Sequence, residues 1–237
     1  VIGHMMEIEQ YAQVNAIISF VGVLSIPTAI ITMISARYIA LNSAGNSEAG
    51  VKEILKLMLK FAFIVGIIIT CVILIFLNNI SALFKLDSKY YVIGTLIITI
   101  VNFLFSITAG TLQGLKDFFQ YGLQTIFVAG GKLFFSIFFV FIGWRVYGVI
   151  AAVLIGTGIA TLYGVHYVKK AISEETETAE RNNIDIGEFV RYSLGTVIAQ
   201  GCVITLTNGD ILLVKAYFTD TEAGLYSSAS VIGKIAM

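Results

Sequence analysis

Six apolar runs, each close to the roughly 20 residues that a helix needs to cross a bilayer, restrict this chain to a membrane fold. They cover about residues 14–36, 61–77, 92–112, 119–143, 146–168 and 192–216, and a seventh starts near Leu225. Lipid offers no partner to a backbone amide, so such runs become helices that satisfy their own hydrogen bonds. The expected fold is all-α, a polytopic transmembrane helix bundle. Composition agrees: 57% of residues are hydrophobic and 13% charged, where a soluble domain carries roughly 25% charge. The formal net charge is zero and there is no basic tract, so the expected surroundings are a lipid bilayer and not nucleic acid. Cys71 and Cys202 fall inside apolar runs and read as small buried hydrophobes. The chain opens at Val1 with neither an initiator Met nor a secretory leader and stops at Met237 inside an apolar run, so it reads as a fragment of a longer chain.

Lys and Arg, counted as loop cations, set the expected orientation. One side collects Arg37, Lys52, Lys56, Lys60, Lys116, Lys169, Lys170, Arg181, Arg191 and Lys234; the other has Lys85, Lys89, Arg145 and Lys215. The richer side is expected to be cytoplasmic, which puts residues 1–11 outside and calls for an earlier helix that brought them there. Residues 169–191 read as a cytoplasmic linker, acidic and without apolar periodicity up to Asn183, then mildly amphipathic from Ile184 to Arg191 and expected to lie at the interface. A faint internal repeat flanks that linker: Gln10 to Ala16, leading into the first run, can be laid over Glu222 to Ser228, leading into the seventh. Duplicated halves with a site between them are a common transporter plan. The division that follows is a first lobe at 1–168 lacking its first helix, the linker at 169–191, and the start of a second lobe at 192–237.

Helical spacing places polar residues on single faces of four runs. The stripes are Ser25, Thr28, Thr32 and Ser35; Thr95, Thr99, Asn102, Ser106 and Gln113; Thr125, Lys132 and Ser136; and Ser193, Thr196, Gln200 and Thr207. Ser and Thr alone are ordinary glue between membrane helices. Together with amides and a lysine, the stripes point to a water-filled central cavity. Lys132 lies about a dozen residues from either end of its run, too deep to snorkel easily. Its ammonium needs a carboxylate, a polar cavity or an anionic ligand. Asp210 is the one carboxylate within a run, so Lys132 either pairs with Asp210 or faces a phosphate or pyrophosphate, helped by Arg37 at the cytoplasmic mouth. In the second case Asn208 and Asp210, which with Gly209 interrupt the sixth run near its far end, would form a gate, a proton or cation site, or a lock between helices.

Pro27 is the one proline and removes a backbone hydrogen bond inside the first run, so a kink is expected there, for packing or for bending during transport. Gly156, Gly158 and Gly164 read as close-packing contacts. His4 and His166 make no metal-ligand set, and neither a phosphate loop nor a nucleophile with its base occurs. No metal, cofactor or enzymatic activity is expected.

With these residues in place, the chain resembles the oligosaccharide flippase (polysaccharide biosynthesis) branch of the multidrug/oligosaccharidyl-lipid/polysaccharide exporter superfamily. The likeness lies in Gln10-Tyr11-Ala12-Gln13-Val14-Asn15, Ala36-Arg37-Tyr38, Gly110-Thr111-Leu112-Gln113-Gly114, Leu206-Thr207-Asn208-Gly209-Asp210-Ile211-Leu212-Leu213-Val214-Lys215 and Thr221-Glu222-Ala223-Gly224-Leu225-Tyr226. Ala12 and Val14 stand where the family often has Gly and Tyr. The resemblance implies two lobes of six helices, sometimes with two more, forming an inverted V around a central cavity. It also implies movement of a polyprenyl-pyrophosphate-linked oligosaccharide from the inner to the outer leaflet of a bacterial inner membrane by alternating access. Arg37 and Lys132 suit the pyrophosphate by position; the resemblance carries over no specific sugar contact, and the stripe amides Asn102, Gln113 and Gln200 are the expected further substrate-binding residues. Expected partners are the lipid-linked oligosaccharide and polysaccharide assembly proteins. Lipid II flipping remains an alternative, as does cation-coupled drug export, although the first five runs lack the acidic residues that export would use. A non-transporting membrane scaffold is the alternative of another class.

Overall fold

The computed structural model describes residues 6–44, 48–174 and 186–235, all of them helix or short connections, with no strand among them. The helices are α1 (Ile8–Leu24), α2 (Ile26–Ala44), α3 (Glu48–Ile75), α4 (Leu77–Leu83), α5 (Tyr90–Gly114), α6 (Phe118–Phe141), α7 (Arg145–Glu174), α8 (Ile186–Tyr217) and α9 (Asp220–Ile235). Five are long and apolar enough to span a membrane, and α1 and α2, bent by 45° at their junction, are long and apolar enough only when taken together. The outer surface confirms the solvent: Leu206 is 79% exposed and Phe141 82%, side chains that water would not tolerate in such numbers. This is a multi-pass membrane protein. Cys71 and Cys202 differ from expectation because both are exposed; an apolar run hides from water by facing lipid as readily as by facing protein.

The α1–α2 bend falls at Ser25, two residues before Pro27. Pro27 has no N–H to give to the preceding turn, and two hydroxyls bond to neighbouring carbonyls at the bend. Ser25 Oγ donates to the Val21 carbonyl at 2.7 Å, and Thr28 Oγ1 donates to the Ser25 carbonyl at 2.6 Å. The kink read from Pro27 is present, and it is sharp enough to make two helices.

Short turns fix the antiparallel order of α5, α6 and α7. Lys116 takes a left-handed φ of 61° to close α5, and the Asp117 side chain then caps α6 by accepting from the Gln120 amide at 3.3 Å. Between α6 and α7, Gly143 at φ 95° ends the helix, a conformation that an L side chain resists. The α6–α7 crossing brings backbone against backbone: a Cβ on Gly156 would lie 2.8 Å from the Lys132 amide nitrogen, and one on Gly131 would lie 2.9 Å from the Gly156 Cα. About two turns further on, a Cβ on Gly164 would strike Gln124 and Thr108. Gln124 is fully buried there and donates to Thr108 Oγ1 at 2.7 Å and to the Ala160 carbonyl at 3.2 Å, tying α5, α6 and α7 together. Gly156 and Gly164 are thus packing contacts, whereas Gly158 faces open space.

One end of the bundle gathers the start of α1 and the α4–α5, α6–α7 and α8–α9 turns. Lys85 Nζ donates to the Phe218 carbonyl at 2.7 Å, Tyr147 Oη to Ser88 Oγ at 3.0 Å, and Gly224 lies against the Ile8 backbone. These are the segments that alternating spans place on one side of the bilayer.

Three expectations are corrected in the last third of the chain. First, α8 runs without a break through Asn208, Gly209 and Asp210. Asn208 donates to the Ile204 carbonyl one turn back, and the cost of about 1 kcal/mol for a helical Gly is smaller than that of baring backbone to lipid. Second, the described ends of the linker are helical, 169–174 continuing α7 and 186–191 opening α8; the rest of the linker, 175–185, lies outside the described residues. Third, Lys215 is not a solvated loop cation. It sits in the last turn of α8, fully buried, and pairs with Asp220 at the start of α9.

Candidate substrate cavity

A cavity of about 700 Å³ opens between α1, α5, α6, α7 and α8. Each element contributes for a local reason. Helix α1 offers Asn15, with Ser25 just past its end, and between them Gly22 leaves room for Asn208 of α8, which a Cβ on Gly22 would meet at 3.0 Å. Asn15 and Asn208 each give an amide hydrogen to a carbonyl four residues back, at 2.9 and 3.0 Å. Their carbonyl oxygens remain available as acceptors. Helix α5 contributes Asn102, whose amide reaches Ser25 Oγ at 3.5 Å. Helix α6 contributes Lys132 and Ser136, with Lys132 anchored by the Gly131–Gly156 crossing behind it. The other walls are aliphatic, among them Val14, Ile17, Val21, Ile98, Val149 and Val153.

Lys132 decides what this cavity can do. It makes no hydrogen bond or ion pair with any described residue, and the carboxylate offered by the sequence is turned elsewhere. Asp210 accepts from Tyr226 Oη at 3.1 Å and Ser230 Oγ at 3.2 Å, both on α9, while its Oδ1 is buried without a partner. The Lys132–Asp210 pair is therefore not formed. A half-buried ammonium with aliphatic neighbours and amide oxygens is incompletely solvated by the protein. An anionic group in the cavity would complete it.

A second crevice of about 400 Å³ shares Ser25 and Asn102 with the cavity. It continues past Thr28, Thr32 and Ser106 to Tyr121 and to Gln200 of α8, whose amide points at Met33 Sδ at 3.4 Å. The structure thus brings Lys132, Asn102 and Asn208 to one cavity and Asn102 and Gln200 to the next. Arg37 and Gln113 are half-buried in the later turns of α2 and α5 and line neither space, and Asp210 stands apart on the α9 side of α8. Asn15 and Tyr11 of the cavity wall lie in the segment read as leading into the first run, so no stripe included them; an amide within an apolar helix was the available signal. Of the stripes, Thr125 is exposed, and Thr95 and Thr99 are buried with their hydroxyls given to their own helix.

Searches of curated proteins and of solved structures returned no match. A family model described as polysaccharide biosynthesis protein matches residues 48–237. That range takes in α3 to α9, including the Lys132 side of the cavity and the Asn208–Asp210 turn of α8. The chain therefore belongs to the polysaccharide biosynthesis protein family.

Proposed function

We propose that the chain is part of a transporter, and not an enzyme, that moves a polyprenyl-pyrophosphate-linked oligosaccharide from the inner to the outer leaflet of a bacterial inner membrane by alternating access. Residues 1–11 face outward and the 169–191 segment faces the cytoplasm; α1 to α7 belong to one lobe, and α8 and α9 begin the second. The observation that carries the reading is Lys132, a cation within a membrane span, lining a cavity with no carboxylate partner. Its place among aliphatic walls suits an amphipathic anion, a phosphate joined to a hydrocarbon chain. Asn15, Asn102 and Asn208 supply further polar contacts, while Arg37 and Gln113 act at the α2 and α5 ends of the path. Asp210, held by Tyr226 and Ser230, serves to link α8 and α9.

The test is transbilayer movement of a fluorescent polyprenyl-pyrophosphate oligosaccharide by the intact protein in proteoliposomes. Wild type moves it, and folded Lys132→Ala slows movement by about 10- to 100-fold, the weight of a charge-assisted contact of about 1.5–3 kcal/mol. Lys132→Arg retains most of the rate. Movement unchanged in Lys132→Ala would remove the anion role, and no movement by wild type above protein-free vesicles would end the flippase reading.

A further inference from the structure

We infer that the crevice between α2, α5 and α8 is the compartment for the sugar and that it admits uncharged sugars while rejecting acidic ones; this rests on the flippase reading. The argument begins with where the hydroxyl protons go. Ser25 Oγ donates to the Val21 carbonyl at 2.7 Å, Thr28 Oγ1 to the Ser25 carbonyl at 2.6 Å, Thr32 Oγ1 to the Thr28 carbonyl at 3.1 Å, and Ser106 Oγ to the Asn102 carbonyl at 2.8 Å. All four line the crevice. A hydroxyl whose hydrogen is committed to its own helix has only acceptor lone pairs left for a guest. A sugar hydroxyl donates to such oxygens, whereas a carboxylate or a second phosphate has no hydrogen to give and meets lone pair against lone pair.

No residue lining the crevice carries a formal charge. Lys132 lines only the larger cavity, so an acidic sugar seated in the crevice lies beyond the one cation placed for an anion. The donors that remain are the amides of Asn102 and Gln200 and the Tyr121 hydroxyl. Such groups serve a polyhydroxylated ring from either side, and without a cation they do not offset the desolvation of a carboxylate. Ser25 and Asn102 border both spaces and bond to each other at 3.5 Å. They mark the boundary where a pyrophosphate at Lys132 hands over to the first sugars. Selection is thus split: charge is read on one side of the Ser25–Asn102 pair and rejected on the other.

The experiment uses the intact protein in proteoliposomes with two fluorescent polyprenyl-pyrophosphate oligosaccharides that differ only in a hexose replaced by the corresponding uronic acid. Wild type moves the neutral compound about tenfold faster or more, the discrimination expected of a site built around uncharged hydroxyls. Thr32→Lys brings the two rates toward parity by adding the missing cation, and Gln200→Lys does the same if the first variant does not fold. Lys132→Ala slows both compounds alike and leaves their ratio intact. Equal rates in wild type overturn the proposal, and so does a ratio that stays unchanged when either folded lysine variant is introduced. If wild type moves neither compound, the flippase reading falls and the sugar compartment with it, an outcome distinct from a lost preference.

Discussion

Lys132 and Lys215 both lie within membrane-spanning helices, and their surroundings are opposite. At the α8–α9 corner, Lys215 is fully buried and matched by Asp220, five residues on in the chain. In the cavity, Lys132 is half-buried and unmatched, although Asp210 was the carboxylate that the sequence offered it. Local chemistry explains the difference. Lys215 and Asp220 flank a two-residue turn, so closing the turn brings them together at little entropic cost. Lys132 and Asp210 sit on separate helices, and Asp210 finds two hydroxyl donors on the neighbouring α9 first. A buried cation with a partner holds a structure together; one without a partner stores the capacity to bind.

The sharpest way to break this comparison is to remove the corner's carboxylate. Asp220→Ala leaves a buried ammonium without compensation and should cost about 3 kcal/mol or more, whereas Lys215→Met, which removes the charge and keeps the stem, should cost far less. Lys132→Met should run the other way, leaving thermal stability equal or raised while transport is lost. Thermal unfolding of the three variants in detergent decides it. If Asp220→Ala unfolds with wild type, Lys215 is no better anchored than Lys132 and the contrast fails.

A smaller effect sharpens the cavity side. Helix α6 holds Lys132 toward the cavity because its back is pressed onto Gly156, where an added Cβ would lie 2.8 Å from the Lys132 nitrogen and 3.1 Å from the Gly131 carbonyl carbon. Backbone atoms cannot turn aside as a side chain would, so Gly156→Ala must separate α6 from α7, at about 1–3 kcal/mol. Transport should fall with it as Lys132 is displaced. Gly158→Ala, two residues away with nothing within 4 Å, is the control and should gain up to about 1 kcal/mol of helix propensity. Equal melting temperatures for the two variants would show that the crossing does not hold Lys132.

What the sequence made legible follows from which forces are local. Hydropathy alone located the spans, because a helix in lipid answers to its own side chains and to the roughly 30 Å of hydrocarbon. Pro27 announced the bend for the same reason. The errors are positions where a neighbour decides. Asn208, Gly209 and Asp210 resemble a helix break in isolation, yet lipid forbids bare backbone and α8 continues through them. Lys215 looks like a loop cation until Asp220 folds back onto it. In the candidate cavity, the stripes gave Lys132 and Asn102, and the polar interruption of the sixth run gave Asn208, their depth but not their direction. Arg37 has a suitable charge and depth and still lies outside both spaces, since helix rotation is set by packing that periodicity does not contain.

The corner also carries a pH dependence that separates its two acidic residues. Thr219 and Glu222 form a reciprocal cap at the start of α9. Glu222 accepts from the Thr219 hydroxyl at 2.7 Å and from its amide at 3.0 Å, and the Glu222 amide donates weakly to Thr219 Oγ1 at 3.4 Å. The Thr219 hydroxyl first and its amide next hold the Glu222 carboxyl below its ordinary value of 4.5, against the opposing effect of desolvation and with the least help from the nearby Lys85 charge. A depressed carboxyl stabilises the fold fully above its unfolded value and loses that contribution as pH falls through the folded one. Glu222→Gln keeps an acceptor and removes the charge, so wild type should melt slightly higher than the variant at pH 7. The gap should close as pH drops below the ordinary glutamate range. Because Glu222 is exposed, salt should narrow the gap at pH 7 as well. The buried Lys215–Asp220 pair should not respond to salt in this way. A gap that stays constant from pH 7 to acid would assign the cap's value to its shape and not to its charge, leaving Asp220 as the acidic residue whose charge matters at this corner.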